Sequence, residues 1–393
     1  MHRSLTVARK ELLDTVRDSR TLLLTFVLPL ALYPITILTI GLVGEANRAR
    51  EASASLRVAI VGSEQAPALA PVVAEIKQMT LVPVELGPAA IRDRLVDAVL
   101  VVPERHEAAI LSGAPSTITV YYDQTDALSR RARGQLETAL GRYREHLLRD
   151  QLDRLGGDGR LVDAARIEVQ NVASAGQMGA YIVGALVPYL LVILIASAAS
   201  HTAIDTTAGE KERSTLETIL VSAASRNELL FGKFLATFVT ASAAGAMGLL
   251  GLTLTIAIPS SASAFAEGPI LLPAWSIVVL LFMILPVAAL LSALLLAFGC
   301  FARSTREGQT FASYFIMLVA VLAVLSVTSE IKPTTGVFLI PILGTTQAQR
   351  QILAGAHVHG EVLLAITSTL LVAGMGLLIA QRLFASERVM FRQ

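Results

Sequence analysis

The chain has 393 residues, of which 54% are hydrophobic and only 16% are charged, a balance that excludes an ordinary water-soluble globular protein. The formal net charge is +1, and no block of lysine and arginine is long enough to follow a phosphate backbone, which argues against nucleic acid as a partner. The single cysteine, Cys300, excludes an internal disulfide framework.

An amphipathic leader opens the chain. The stretch SLTVARKELLDTVRDSR places Leu5, Ala8, Leu12 and Val16 at helical spacing, with the basic residues mostly off that stripe. We therefore predict a cytoplasmic interfacial helix over residues 1–21, lying among the lipid headgroups. A cleaved secretory signal is disfavoured, because the apolar run that follows is longer than a signal core and the leader carries acidic residues.

Six apolar segments approach or exceed the length of about 20 residues that a helix needs to cross a bilayer. They run over residues 22–43, 179–200, 234–258, 273–301, 310–327 and 362–380. Prolines interrupt three of them, and we expect kinks at these positions, which are Pro29, Pro34, Pro188 and Pro286. The sequence therefore predicts an α-helical polytopic membrane protein with six transmembrane helices, the first over 22–43 and the other five within 179–383.

The distribution of lysine and arginine among the connections predicts the orientation of these spans. Basic residues are frequent in the leader, in residues 201–233 and in the tail, residues 384–393, whereas residues 259–272 contain none. By the positive-inside rule, both termini and residues 201–233 lie in the cytoplasm, and residues 44–178 lie outside.

Residues 44–178 form the one large hydrophilic region. The stretches LRVAIVG from Leu56, DAVLVVP from Asp97 and STITVYYD from Ser116 have the composition of short strands, and segments with helical spacing lie between them. A long charged helix is predicted over residues 127–155. We therefore expect a large extracytoplasmic α/β domain between the first two spans.

The cytoplasmic stretch GEKERSTLETILVSAASRNELLFGK, residues 209–233, is highly charged although apolar runs flank it on both sides. Ser214 and Glu217 have the spacing of a capping box, and so do Ser225 and Glu228, which predicts two short helices separated by VSAAS. The charged positions of the first helix are expected to face the cytoplasm; these are Glu210, Glu212, Arg213 and Glu217.

This stretch resembles the signature of ABC type 2 exporter permeases, which reads roughly Glu-Lys/Arg-Glu-Arg-Gly-Thr-Leu-Glu, a Pro break, Ser-Arg-x-Glu and a closing Gly-Lys. The matching positions are Glu210, Lys211, Glu212, Arg213, Thr215, Leu216, Glu217, Ser225, Arg226, Glu228, Gly232 and Lys233. The chain departs from the signature at Ser214, where Gly is usual, and at Ala223, where Pro is usual. The stretch KELLDTVRDSRTLLLTFVLPLALYP, the external domain and IPILGTTQAQRQILAG further resemble the NatB-like sodium-efflux branch.

The resemblance implies a transport subunit that is not itself an enzyme. In that family the loop between the second and third spans fits a cleft on a separate ABC ATPase, so residues 201–233 would be the coupling loop. The expected contacts are Glu210, Lys211, Glu212, Arg213, Thr215, Leu216, Glu217, Arg226, Glu228 and Lys233. ATP and Mg are expected on the partner, since this chain lacks the phosphate-binding motif G-x-x-x-x-G-K-[ST].

The resemblance also implies an assembly of two permeases on a dimer of ATPases. The second permease would be another copy of this chain or a homologous permease. The assembly would lie among the lipids of a cytoplasmic (inner) membrane of bacterial type.

The cargo is the feature that the sequence determines least. The spans contain no carboxylate or histidine that could carry an ion or proton relay, so a Na⁺ path would have to use hydroxyl groups and carbonyls. The candidates are Thr25, Tyr33, Thr36, Tyr189, Thr237, Thr240 and Thr253, which can equally be helix-packing hydroxyls. Export of Na⁺ is predicted first, and export of a hydrophobic, lipid-like or peptide-like cargo is the alternative.

Two other classes of function compete with transport. An intramembrane protease would need a His/Glu cluster on one helix face. His106 and Glu107 lack a second histidine at the required spacing, and His357, His359 and Glu361 lie in an external connection. No metal site is therefore predicted. A sensor or scaffold built on the external domain is the third interpretation.

Overall fold

The computed structural model describes residues 2–83, 89–111, 114, 116–124, 126–154, 175–257, 274–326, 334–353 and 359–386. The chain divides into a helical unit, Met1–Leu42 with Val172–Gln393, and an α/β unit, Val43–Asn171. Each unit has its own hydrophobic core.

The chain begins with three consecutive helices. Helix α1 covers His2–Arg17, α2 covers Ser19–Leu22, and a π-helical turn over Leu23–Val27 leads into α3, Leu28–Ser53. This turn immediately precedes Pro29, whose ring removes a backbone donor and crowds the carbonyl four residues earlier. The wider turn accommodates the proline within one continuous helical path.

The α/β unit is built on a four-stranded sheet. Its elements in chain order are β1 (Leu56–Val61), α4 (Leu69–Ala74), β2 (Met79–Leu81), α5 (Ala89–Arg92), β3 (Ala98–Val101), α6 (His106–Leu111), β4 (Thr119–Tyr122) and α7 (Ala127–Arg154). The strand order is β2-β1-β3-β4, with β1 parallel to β2 and β3, and with β4 antiparallel to β3. Val58 and Leu100 pack on one face of the sheet against Leu69 of α4 and Leu136 of α7.

The three predicted strands are present as β1, β3 and β4, and the predicted long helix is present as α7. Strand β2 and helix α6 were not predicted. The first of the segments with helical spacing forms α4, which ends at Ala74, and Met79 begins β2. Gln78 has a φ of +72°, and this left-handed residue turns the chain into β2.

The remaining helices complete the helical unit. In chain order they are α8 (Ala175–Ile204), a π-helical turn (Asp205–Gly209), α9 (Glu210–Glu212), α10 (Thr215–Leu220), α11 (Arg226–Ala257), α12 (Ala274–Phe301), α13 (Thr305–Leu325), a 3-10 turn (Val337–Leu339), α14 (Leu343–Leu353) and α15 (His359–Ala385). Helix α12 is central, since it packs against α8, α11 and α15. Its Leu291 and Leu295 belong to the same fully buried core as Leu191 and Ile195 of α8.

Six helices among the described residues are long and apolar enough to cross a membrane, which confirms the predicted number of spans. They are Thr25–Val43, Leu186–Glu212, Arg226–Ala257, Trp275–Phe301, Thr305–Leu325 and Gly360–Ala385. Two of these helices extend beyond the apolar segments predicted as spans: the second continues from Ser200 to Glu212, and the third begins at Arg226, before Phe234. The helices continue past their apolar segments, because the polar side chains at the end of the second helix and the start of the third have partners on neighbouring helices.

Candidate functional site

The charged stretch 209–233 forms a compact turn between α8 and α11. The chain leaves α9 and reverses at Ser214, which has a φ of +58°, to enter α10. Glycine adopts this left-handed conformation at the least cost, which accounts for the Gly that is usual at this position of the signature. Helix α10 ends at Leu220 and α11 begins at Arg226, so the break between the two helices lies at 221–225.

The second predicted capping box is confirmed. The backbone N–H of Ser225 donates to Oε2 of Glu228 at 3.0 Å, and the backbone N–H of Glu228 donates to Oγ of Ser225 at 3.3 Å. These bonds satisfy two backbone donors at the start of α11. The first predicted box involves Glu217, whose side chain lies outside the described residues.

Two consecutive charged residues hold the ends of neighbouring helices. The ammonium of Lys211 donates to the backbone carbonyls of Cys300 and Ala302, the second at 3.1 Å, at the carboxyl end of α12. Oε2 of Glu212 accepts from the backbone N–H and the hydroxyl of Thr305, at 2.8 and 2.5 Å, at the start of α13. The positive charge of Lys211 therefore lies at the C-terminus of α12, and the negative charge of Glu212 lies at the N-terminus of α13. The helix dipoles favour both arrangements.

A buried ionic cluster lies beside this turn and joins α1, α9 and α11. Nζ of Lys233 lies 2.6 Å from Oε2 of Glu210 and 3.2 Å from Oε1 of Glu11. Nζ of Lys10 lies 3.2 Å from Oε1 of Glu11 and 3.6 Å from Oε1 of Glu210. Burial lowers the pKa of Lys10, but the nearby carboxylates of Glu11, Glu210 and Asp14 outweigh it and the pKa is raised, so this ammonium stays charged.

The cluster corrects one prediction about orientation. Glu210 was expected to face the cytoplasm, but its side chain is only 7% exposed, and that of Lys233 is 0% exposed. Both are drawn inward because each supplies the opposite charge that makes burial of the other tolerable. Glu11 was not predicted to take part, because it lies 222 residues from Lys233 and no local pattern connects them.

Gly232 explains how α1 comes close enough to form this cluster. A Cβ atom at this position would lie 2.6 Å from Cβ of Val7 and 2.8 Å from the carbonyl oxygen of Ser4. A side chain would therefore push α1 away from α11. The closing Gly-Lys pair of the signature thus provides the space for α1 and the charge that binds it.

The face of α1 that packs on the bundle differs from the predicted apolar stripe. Ser4, Ala8 and Glu11 are buried, whereas Leu5 and Val16 are 54% and 53% exposed. Small and polar side chains suit the packed face, because the helices approach closely and Glu11 has an ionic partner there. The larger apolar side chains remain on the outer face.

Most of the chain matches a known family. Residues 19–380 match the family described as ABC-2 family transporter protein. The chain belongs to this family. It is also 28% identical over 354 residues to the ABC transporter permease protein NatB of Bacillus subtilis (strain 168), an alignment that covers 89% of each chain. The resemblance predicted from the charged stretch is confirmed, and the protein is a multi-pass transport permease rather than a catalytic subunit.

The outward side of the turn in this ABC-2 permease is formed by α10 and its flanking residues. Glu212, Arg213 and Thr215 are exposed, and Leu216 anchors α10 in the core of the bundle. Val221, at the tip, is 87% exposed and was not predicted. Its exposure could have been inferred from its position in VSAAS, the uncharged segment predicted to separate the two short helices. We call Glu212, Arg213, Thr215 and Val221 the coupling surface.

Three of the residues predicted to contact an ATPase, including Arg213 of the coupling surface, also make contacts within the chain. The guanidinium of Arg213 lies 2.5 Å from Oδ1 of Asp205, and that of Arg226 donates to the carbonyl of Ala385 at 2.8 Å. Glu228 is the capping residue of α11. These contacts make the turn a rigid extension of the helices around it.

A polar cavity of about 710 Å³ opens beside the coupling surface, between α1, the π-helical turn after α8, and α10. Its wall includes Asp14, Asp18, His201, Asp205 and Thr218. Several carboxylates thus surround a space large enough for a small hydrated solute.

The hydroxyl groups predicted to line a cargo path bond mainly to helix backbone. Tyr33 donates to the carbonyl of Val187 at 2.9 Å, and Thr237 and Thr253 donate to carbonyls three or four residues earlier. Thr240 bonds in the same way and also reaches Oγ1 of Thr202 at 3.0 Å. These four hydroxyls therefore favour the helix-packing interpretation. Of the other three candidates, Thr25 is buried, and Thr36 and Tyr189 are half-buried.

Within the part of the chain that the structure describes, no group of three or more His, Cys, Asp and Glu side chains could hold a metal ion. Nδ1 of His106 shares a hydrogen bond with Oγ of Ser116 at 2.7 Å, and its ring stacks on Tyr143. These contacts give His106 a packing role in the α/β unit. His357 and the side chain of His359 lie outside the described residues.

Proposed function

We propose that this chain is the membrane-spanning subunit of an ATP-driven exporter whose separate ABC ATPase binds the coupling surface from the cytoplasm. ATP and Mg are bound by that ATPase. Family membership supports the proposal, and the observation that carries it is an exposed surface on a turn that several spans hold rigidly. Both termini lie on the same side as the ATPase, in a cytoplasmic membrane of bacterial type.

The internal contacts of the turn provide a route for mechanical coupling. Lys211 connects it to α12, Glu212 to α13, and Glu210 to α1 and α11. Because packed helices respond to force as rigid bodies, a displacement of α10 by the ATPase would move the ends of these helices together. The coupling surface receives the movement and the buried ionic cluster passes it to α1.

A second permease, either a copy of this chain or a homologue, completes the proposed exporter. The exposed apolar side chains of α13 offer a surface for that subunit or for lipid acyl chains; they include Tyr314, Met317, Leu318 and Val321. Two such permeases would stand on a dimer of ATPases.

Na⁺ is the cargo that we propose first. The resemblance to the sodium-efflux branch supports it, and the polar cavity beside the coupling surface, where Asp14 and Asp205 pair with Lys10 and Arg213, offers space for a hydrated ion. An amphiphilic cargo, lipid-like or peptide-like, is the second candidate. It is supported by the absence of carboxylates from the apolar middle of the spans.

The coupling proposal is tested by the substitution Val221→Asp. Val221 is 87% exposed, so the variant should fold and insert normally. A charge forced into an ATPase cleft that receives an apolar side chain should weaken binding at least about tenfold. The measurement is co-purification of the ATPase and cargo-stimulated ATP hydrolysis in nanodiscs.

Asn227→Asp is the matched control, because it adds the same charge at an exposed position six residues further along the chain. It should leave the complex intact. Unchanged ATPase binding and hydrolysis with Val221→Asp would show that the tip of the turn is a solvated connection.

A further inference from the structure

Helix α14 is polar in sequence and enclosed in the helical unit. Its sequence is LGTTQAQRQIL, and it packs against α8, α12, α15 and the 3-10 turn Val337–Leu339. Thr345, Thr346 and Gln349 are each 0% exposed. Burial of polar groups in an apolar bundle costs free energy unless each group has a hydrogen-bond partner, so a buried polar helix is a candidate functional site.

The backbone that leads into α14 is held in an unusual conformation. Ile342 has a φ of +68°, which is strained for a β-branched residue. A Cβ on Gly344 would lie 2.7 Å from Cα of Phe338, so the 3-10 turn and the start of α14 are in direct backbone contact. Strain that the surrounding packing maintains is a feature of binding and active sites.

The threonine hydroxyl groups of α14 donate to backbone carbonyls at the start of the helix. Oγ1 of Thr345 and Oγ1 of Thr346 donate to the carbonyl oxygen of Ile342 at 3.0 and 2.7 Å, and Oγ1 of Thr346 also lies 3.0 Å from the carbonyl oxygen of Leu343. Threonines in the spans make the same bonds and were assigned to helix packing, so the bonds alone do not mark a site. Helix α14 differs because it also carries the buried amide of Gln349, and the hydroxyl oxygens of Thr345 and Thr346 keep lone pairs but have no proton left to donate. Such oxygens can accept a hydrogen bond or bind a cation.

Gln349 lies on the same side of the helix, three and four residues after these threonines. Neither its side-chain oxygen nor its nitrogen has a hydrogen-bond partner among the described residues. A buried amide without partners lowers the stability of the fold by about 1 to 3 kcal/mol for each unsatisfied group. A leucine of similar size has no polar group and would carry no such penalty. The amide therefore favours a partner other than the side chains and backbone that the structure describes.

The one basic side chain of α14 is engaged elsewhere. The guanidinium of Arg350 donates to the carbonyl of Ser326 at 2.6 Å, at the carboxyl end of α13. A cation at a helix C-terminus complements the helix dipole, so part of the positive charge of Arg350 is balanced there.

We infer that Thr345, Thr346 and Gln349 form a binding site for a partly hydrated monovalent cation of the Na⁺ or K⁺ type. Neutral protein oxygens can replace part of the hydration shell of such an ion, whereas divalent ions normally need carboxylates. Water that accompanies the ion accepts from the amide N–H of Gln349. The inference rests on the proposed export function. It gives the proposed Na⁺ cargo a binding site inside the bundle.

The test compares Gln349→Leu with Gln351→Leu in the complete permease–ATPase complex, reconstituted in proteoliposomes. Gln351 is half-buried on the same helix and is the matched control. The readouts are ATP-dependent fluxes of Na⁺ and K⁺ as functions of their concentration. Gln349→Leu should raise the half-saturating cation concentration about tenfold, the effect of removing one ligand to a charged group. Gln351→Leu should leave it unchanged.

Two further measurements separate loss of the site from loss of the fold. Gln349→Leu should melt at or above the temperature of the wild type, because it removes an unsatisfied amide. Gln349→Glu keeps an oxygen ligand and adds a negative charge, so it should bind the cation at least as tightly as the wild type.

The outcomes distinguish the site from the export function. Cation flux in the wild type with an unchanged concentration dependence in Gln349→Leu would overturn the site and leave Na⁺ export standing. Equal behaviour of the Leu and Glu variants would also overturn it. A wild-type complex that moves neither cation, but whose ATP hydrolysis responds to an amphiphile, would overturn the Na⁺ cargo and the site with it.

Discussion

Lys233 is completely buried, and this is tolerable only because Glu210 and Glu11 lie within 3.2 Å of its ammonium. A buried ion pair adds little net stability when both charges are present, but removal of one charge leaves the other desolvated and unpaired. The signature lysine therefore matters to the fold of the permease before it matters to any partner. The exposed residues of the coupling surface, by contrast, are expected to affect a partner more than the fold.

Replacement of Lys233 by Met should destabilise the protein by about 3 to 5 kcal/mol, because two buried carboxylates lose their buried partner and keep only the half-exposed Lys10. Lys10→Met removes a charge that is 53% exposed, and the cost should be at most about 1 kcal/mol. Thermal unfolding of the two variants in detergent checks the difference. A Lys233→Met variant as stable as Lys10→Met would contradict the structural role of the ionic cluster.

Helix α1 is held against α11 by a contact that depends on the absence of a side chain at Gly232. Val7 and Ser4 occupy the space in which a Cβ would lie. The ionic cluster then fixes the position of α1 along α11. These two interactions make α1 part of the helical unit rather than a separate anchor.

Gly232→Leu should displace α1 and expose Ala8, which is 3% exposed in the packed helix. With Cys300 replaced by Ala, a cysteine substituted for Ala8 should react slowly with a thiol reagent in the parent protein and quickly in the Gly232→Leu background. Gly374→Leu is the control, since no atom lies within 4 Å of a Cβ built there. Equal reactivity in both backgrounds would show that α1 does not rely on this contact.

The elements that were predicted correctly are those with a local signal. Long apolar runs predicted the six spans, and the pair Ser225 and Glu228 predicted the start of α11, because hydropathy and capping act within a few residues. The ionic cluster could not be predicted, since Glu11 and Lys233 meet only through tertiary packing. Gln349 was overlooked for a related reason. The sequence of a short polar helix is typical of an exposed connection, and its burial depends on packing against distant helices.

At the scale of the whole molecule, the orientation in the membrane stays a prediction from the distribution of lysine and arginine. The frequency of lysine and arginine in the leader and around 201–233 predicts that these regions lie in the cytoplasm, where ATP is available to the proposed partner. The same rule predicts that residues 44–178 lie outside.

This orientation predicts a labelling pattern for single cysteines in a Cys300→Ala background. Glu145→Cys, on the exposed side of α7, should react with a membrane-impermeant maleimide added to intact cells, whereas Ser222→Cys, at the tip of the coupling turn, should not. Both should react after permeabilisation when the permease is expressed without an ATPase, since both positions are exposed in the chain itself. Labelling of Ser222→Cys from outside would reverse the topology. It would also remove the coupling surface from the compartment that holds ATP, and the proposed ATPase contact could then not form.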